Sequence, residues 1–290
     1  MEKLLHWSIA NAQGDKEAIE KAGKPDPKLL EQLFGGGGQD DPTLMMENMK
    51  LVTNPEVDLE NKLIAMDNFE MLIENLDNAN NIENLKLWES IIKVLSYEEA
   101  ELRSIALSIV GTAVQNNSQS QDNFLGHEGG LAKIITLAQN TEEPLDVRTK
   151  AFYALSNLVR NHPHMTKAFI DLNGLDIIAP VLKDETSKPK LKMRSVALLT
   201  AVLTSTNIDA TIVNVLRKDG IIESAIDNIA KDNDLNIIDR VLDFLSQMIS
   251  ARVTFTPEEL GKLGNAYSDI ESLKDRLNED NYQTVKYVLK

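Results

Sequence analysis

Arg103, Arg148, Arg194 and Arg240 recur 45, 46 and 46 residues apart, and this spacing constrains the chain more than any other feature of its sequence. Three of these arginines open stretches that superimpose: "ELRSIALSIVGTAVQNN" from Glu101, "DVRTKAFYALSNLVRNH" from Asp146 and "KMRSVALLTAVLTSTN" from Lys192. Arg240 continues the phase in "IDRVLDFLSQMIS", and Lys62 in "NKLIAMDNFEMLIENL" lies 41 residues before Arg103, so five units share one register. Apolar residues in each stretch follow the period of a helix rather than the alternation of a strand. Gly130, Gly174 and Gly220, 44 and 46 residues apart, fall between apolar segments, where a glycine at positive φ ends one helix before the next begins.

A period in the forties with two or three helices per unit reads as an all-α, armadillo/HEAT-like right-handed solenoid of four to five repeats. Each unit is expected to hold a short first helix, a second such as "LAKIITLAQ" or "LDIIAPVLK", and a long third that starts near the marker cation. Three residues past the arginines stand Ala106, Ala151 and Ala197, each followed by a large apolar residue, Leu107, Phe152 or Leu198. The small side chain permits close approach of helices and the large one fills the core; Asp243 before Phe244 breaks the pattern in the fourth unit. One unit has too little apolar surface to fold alone, so stability must come from neighbours and the ends need caps. Thr256-Pro257-Glu258-Glu259 has the composition of a capping box with proline at the first helical position.

The repeats begin near residue 55. Before it come Gly23, Pro25, Pro27, four glycines at 35–38 and then Asp40-Asp41-Pro42, too many breakers for one continuous helix. Residues 1–54 therefore read as a flexible N-terminal arm with short apolar segments at 4–9 and 29–34, residues 55–255 as the repeats, and residues 256–290 as C-terminal capping helices. The opening string "KLLHWSIANAQG" is interrupted by His6 and Ser8, which leaves it short of the roughly 7–15 apolar residues of a signal peptide. No run approaches the length of a membrane span, and the expected location is the cytosol, with the nucleus also open.

Chemistry is scarce. The chain has no Cys and a net charge of −15, which removes thiolate nucleophiles, redox pairs and thiolate zinc sites, and sets it against phosphate backbones and anionic membranes. Neither a nucleic acid nor a membrane is expected as a partner. His162-Pro163-His164 is the nearest approach to a metal motif, but residues two apart do not share a helix face, and the triplet reads as a solvated loop. Residues 126–130, "GHEGG", have the glycines of a phosphate loop without its lysine and read as a turn between helices. No catalytic residue, cofactor or metal follows, so the chain is not expected to be an enzyme. Asn75, Asn116, Asn161 and Asn207, spaced 41, 45 and 46 residues apart, either end helices in the left-handed conformation or present amides to a partner. Asn157 lies inside a third helix, where capping cannot explain it.

The segments "MLIENLDNANN" at 71–81, "LRSIALSIVGTAVQNN" at 102–117 and "VRTKAFYALSNLVRNHP" at 147–163 resemble the armadillo-type nucleotide exchange factors of seventy-kilodalton heat-shock chaperones. "LLHWSIAN" and, at 30–49, "LEQLFGGGGQDDPTLMMENM" are similar to the fungal cytosolic branch of that family. The resemblance implies a monomeric co-chaperone that grips a lobe of the chaperone's nucleotide-binding domain with its concave face and speeds ADP release, so that ATP enters and client leaves. It implies a contact surface at Asp77, Asn78 and Ala79, at Gln115 and Asn116, at Arg148, Asn157 and Arg160, and at Arg194. The marker arginines keep a second reading as helix-starting structural residues.

Two readings of the opening string stay open: a helix that packs back on the first repeat, or a client mimic carrying Leu4, Leu5, Trp7 and Ile9 into the chaperone's substrate cleft. The competing functional class is an armadillo cargo adaptor that binds an extended peptide. Such adaptors resemble one another in repeating Trp and Asn at fixed third-helix positions, whereas this chain has only Trp7 and Trp88, with Thr112, Leu203 and Ile249 in the slot of Asn157.

Overall fold

Residues 40–289 are described by the computed structural model, and among them every regular element is a helix. The chain divides into two compact units, Met1–Leu44 and Met45–Lys290, and the architecture below is that of the second. Helices α1 (Asp41–Thr53) and α2 (Leu59–Ile73) lead into four successive three-helix units. The first is α3 (Leu76–Asn84), α4 (Trp88–Val94) and α5 (Ala100–Ala113); the second is α6 (Ser118–Leu125), α7 (Gly130–Gln139) and α8 (Leu145–Val159). The third is α9 (Pro163–Asp171), α10 (Ile178–Lys183) and α11 (Pro189–Leu203), with a 3-10 turn at Gly174–Ile177 before α10. The fourth is α12 (Ala210–Lys218), α13 (Ile221–Asp227) and α14 (Leu235–Ser250), after which α15 (Pro257–Ile270) and α16 (Glu279–Tyr287) close the chain.

Corresponding helices stack. The long ones pack in the order α2, α5, α8, α11 and α14, with the short α16 against α14, while α3, α6 and α9, and likewise α10, α13 and α15, form parallel series beside them. The ladder closes tightly where the sequence supplies small side chains: Ala106 and Ala151 are fully buried, and Leu107, Phe152 and Leu198 fill the space next to them. Asp243 stays at the edge, where it accepts a hydrogen bond from Gln247 Nε2 at 3.1 Å, and Phe244 alone enters the core. One continuous apolar core runs from Met45 to Val285, as a solenoid without self-sufficient repeats requires. Thr256 forms the expected capping box with Glu259, with Pro257 at the start of α15.

Three local features depart from the sequence reading. Residues 45–53, assigned there to the arm, are helical, with Met45, Met49 and Val52 in the core; their spacing puts them on one helix face, and Pro42 stands in the first turn, where proline is tolerated. Of the glycine markers only Gly220 is left-handed (φ 68°); in the other two units Gly129 (φ 78°) and Asn173 (φ 56°), one residue earlier, make the turn. Gly174 serves close packing instead, since a Cβ there would collide with the Phe169 ring. His162 is no solvated loop residue: it is buried, its Nδ1 accepts the Met165 N–H at the start of α9, and its Nε2 lies 2.9 Å from Asp122 Oδ1.

Candidate functional site

The long helices leave a row of polar side chains across the ladder. It begins on α2, where Glu70 accepts hydrogen bonds from Ser108 Oγ and, at 3.5 Å, from Thr112 Oγ1, both on α5. Lys150 on α8 reaches back to donate to Ser108 Oγ at 2.8 Å, so a hydroxyl joins a carboxylate and an ammonium across three helices. One turn further along α8 lies Tyr153, whose hydroxyl donates to Gln115 Oε1 at 3.3 Å beyond the end of α5. The Arg194 guanidinium, carried on α11, sits over the Tyr153 ring with its carbon 4.9 Å from the centroid.

The marker cations separate into two kinds. Arg103 is spent within the fold: its Nη1 donates to the Tyr97 and Glu98 carbonyls at 2.7 Å each, and its other nitrogens bind Glu143. Arg148 Nε donates to the Ala138 carbonyl in the last turn of α7 at 3.2 Å, where a cation also meets the negative end of the helix dipole. Burial lowers the Arg148 pKa and the nearby Asp184 charge works against that shift. Among the described residues no hydrogen bond or ion pair engages Arg194.

The other residues expected on the contact surface divide by exposure. Asp77, Gln115 and Asn116 are exposed and Arg160 is half-buried; Asp77 lies in the first turn of α3, Gln115 and Asn116 lie just past the end of α5, and Arg160 ends α8. Asn116 (φ 52°) and Asn161 (φ 55°) take the left-handed conformation, so helix termination accounts for these two members of the asparagine series. Asn75 instead caps α3 by accepting the Asp77 N–H, and Asn207 precedes α12 in an exposed turn. Asn78 and Ala79 are buried at 5 % and 2 % exposure, and Asn78 donates to the Leu72 carbonyl. Asn157, 9 % exposed, gives its amide to the Gly111 carbonyl of α5 at 3.2 Å. Leu4, Leu5, Trp7 and Ile9 lie outside the described residues.

The chain that carries this geometry has relatives of known description. It is 65% identical over 290 residues to the Hsp70 nucleotide exchange factor FES1 of Saccharomyces cerevisiae, with 100% of each chain covered. The chain belongs to the Fes1 family. Relatives of the same description in Candida glabrata and Kluyveromyces lactis are 63% and 58% identical, over 99% and 100% of each chain. Residues 1–82 match the family described as nucleotide exchange factor Fes1, and residues 78–220 match the SIL1/FES1/HPBP1 C-terminal domain. A designed armadillo repeat protein superimposes with a TM-score of 0.67 at 14% identity, covering 86% of this chain and 98% of its own, which places the fold among armadillo-type solenoids. No described helix is long and apolar enough to cross a membrane.

Within this Fes1-family chain the sequence reading passed over Glu70, Ser108, Lys150 and Tyr153. Tyr153 lies two residues after Ala151, in the slot that holds Ser108 and Leu199 in neighbouring units, and an aromatic there was the available signal. Gln121 was also passed over: its Nε2 donates to the Asn157, Leu158 and Arg160 carbonyls at 2.8, 3.0 and 3.0 Å and so satisfies the C-terminal end of α8.

Proposed function

We propose that this chain binds the nucleotide-binding domain of a cytosolic Hsp70 chaperone through the face of its long-helix ladder and accelerates ADP release, so that ATP rebinds and client protein is discharged. The observation that carries this reading is the Arg194 guanidinium on that face, without a hydrogen bond or ion pair among the described residues and seated over the Tyr153 ring that bonds exposed Gln115, in a chain whose relatives are Hsp70 nucleotide exchange factors. The coupling is reciprocal: if the exchange factor weakens ADP binding by some factor, ADP weakens the exchange factor by the same factor, an effect of about 1–3 kcal/mol. The contact surface on this reading comprises Asp77, Gln115, Asn116, Arg160 and Arg194. Buried Asn78 and Ala79 support it from below, since they fix the start of α3 behind Asp77.

The test is release of a fluorescent ADP from a yeast cytosolic Hsp70. The parent chain is expected to accelerate release and Arg194→Ala to lose most of that acceleration while its circular dichroism stays that of the parent. An unchanged release rate with the parent chain would defeat the reading. A peptide adaptor is disfavoured by the Asn157 amide, which is engaged by Gly111 of the neighbouring helix instead of facing an extended peptide.

The opening string supports a second contact. Its apolar residues Leu4, Leu5, Trp7 and Ile9 precede a glycine-bearing tether, and a tethered weak ligand acts at roughly millimolar effective concentration. With Leu4→Ser, Leu5→Ser and Trp7→Ser combined, ADP release is expected to match the parent while release of a bound unfolded protein slows; unchanged client release refutes this contact.

A further inference from the structure

Gly111 stands in the last turn of α5, which ends at Ala113. The space it opens is occupied. A Cβ on Gly111 would run into Cε1 and Cδ1 of the Tyr153 ring and come within 3.3 Å of the Ala154 Cα, so the tyrosine lies across α5 only because that side chain is missing. Two further contacts hold the ring: its hydroxyl donates to Gln115 at 3.3 Å, and Lys150 Nζ lies 5.9 Å from its centroid while bonded to Ser108. On this braced ring rests Arg194, whose guanidinium makes no hydrogen bond or ion pair among the described residues.

This arrangement differs from a surface arginine at large. A free arginine loses rotamer entropy whenever it captures a ligand, whereas one stacked on a fixed aromatic has lost part of that freedom in advance. A guanidinium held over a ring face by a cation–π contact spends none of its N–H donors on it, and the planar fork of those donors suits the two oxygens of a carboxylate. The carboxylate that belongs to the row, that of Glu70, already accepts from Ser108 and Thr112. A second cation, Lys150, stands beside the same ring, in a chain whose net charge is −15. Both features select an acidic group as what this spot takes.

We infer that Tyr153, seated in the Gly111 slot, is a positioning residue that holds Arg194 over the ladder face as a ready-made receptor for an acidic side chain of the chaperone. The inference rests on the exchange-factor reading above and adds to it the element that sets Arg194 and the chemistry of the group that Arg194 meets.

A double-mutant cycle on the full-length chain tests it, with the dissociation constant for nucleotide-free Hsp70 as the readout and thermal melting as the control for folding. Tyr153→Leu, which keeps apolar volume and removes the ring, is expected to weaken binding about tenfold, and Tyr153→Phe to stay within about twofold of the parent because the stack survives. Gly111→Ala, which displaces the ring without altering it, is expected to reproduce the Tyr153→Leu loss. Combining Tyr153→Leu with Arg194→Ala is expected to cost no more than Arg194→Ala alone, since both remove one receptor. Parent-like affinity of Tyr153→Leu, or losses that add in the double variant, would overturn the inference. A parent chain without effect on ADP release defeats the exchange reading instead, so the two failures are distinguishable.

Discussion

Asn157 donates its side-chain amide to the Gly111 carbonyl, 46 residues earlier in sequence and 3.2 Å away, and thereby ties α8 to α5 at a glycine whose missing side chain would meet the Tyr153 ring. An amide so placed is a structural tie. Asn157→Ala should lower stability by about 1 kcal/mol, the net worth of one such bond, while ADP release stays near the parent rate. Chemical denaturation together with the release assay checks this, and a folded variant that no longer accelerates release would return Asn157 to the contact surface.

Arg103 should behave as the structural counterpart of Arg194. Its guanidinium binds two backbone carbonyls and Glu143, with side-chain exposures of 13% and 11% for the ion pair. Arg103→Ala should therefore cost about 2–3 kcal/mol by leaving those acceptors without a partner, visible as a shifted denaturation midpoint. Arg194→Ala should leave the stability within about 0.5 kcal/mol of the parent, as a surface substitution does.

Removing residues 1–54 should lower the thermal midpoint by several degrees, because Met45, Met49 and Val52 go with them. Met49→Ala in the full chain, with an expected cost of about 2–5 kcal/mol, should reproduce part of that loss. A truncated chain that melts with the parent would show that α1 contributes nothing to the fold.

Acid should weaken the turn that leads into α11. Thr186, through its hydroxyl at 2.7 Å and its N–H at 2.8 Å, and Ser187 at 2.9 Å hold the Asp184 carboxylate, and these bonds draw its pKa from 3.8 to about 2. A folded-state pKa below the unfolded one stabilises above pH ~4, and that contribution disappears as pH falls from ~4 through ~2. Asp184→Asn should flatten the stability profile in that interval and leave it unchanged in slope from pH 5 to 7. An identical acid slope in the variant would remove Asp184 from the account.

What the sequence determined by itself is whatever depends on neighbours along the chain. The period of the marker cations, Lys62 and four arginines, set five long helices in register, the alanine–large pairs set where three of them touch, and the Thr256 capping box followed from residues within a turn of each other. The helical start at Asp41-Pro42 was equally local, yet its breakers concealed it, because proline and aspartate read the same in an arm as in a first turn. Only the tertiary structure decided which polar groups are already spent. Arg103, Arg148 and Arg194 occupy one sequence slot, but their partners lie in different places: a carboxylate and carbonyls in two interhelix turns for the first, the end of the preceding helix for the second, an aromatic face on the neighbouring long helix for the third. Spacing along a helix sets which way a side chain points. What it meets there is set by residues in other elements, 40 positions away for Glu143 against Arg103 and ten for Ala138 against Arg148, and so the difference between a brace and a binding group emerges only when the helices pack.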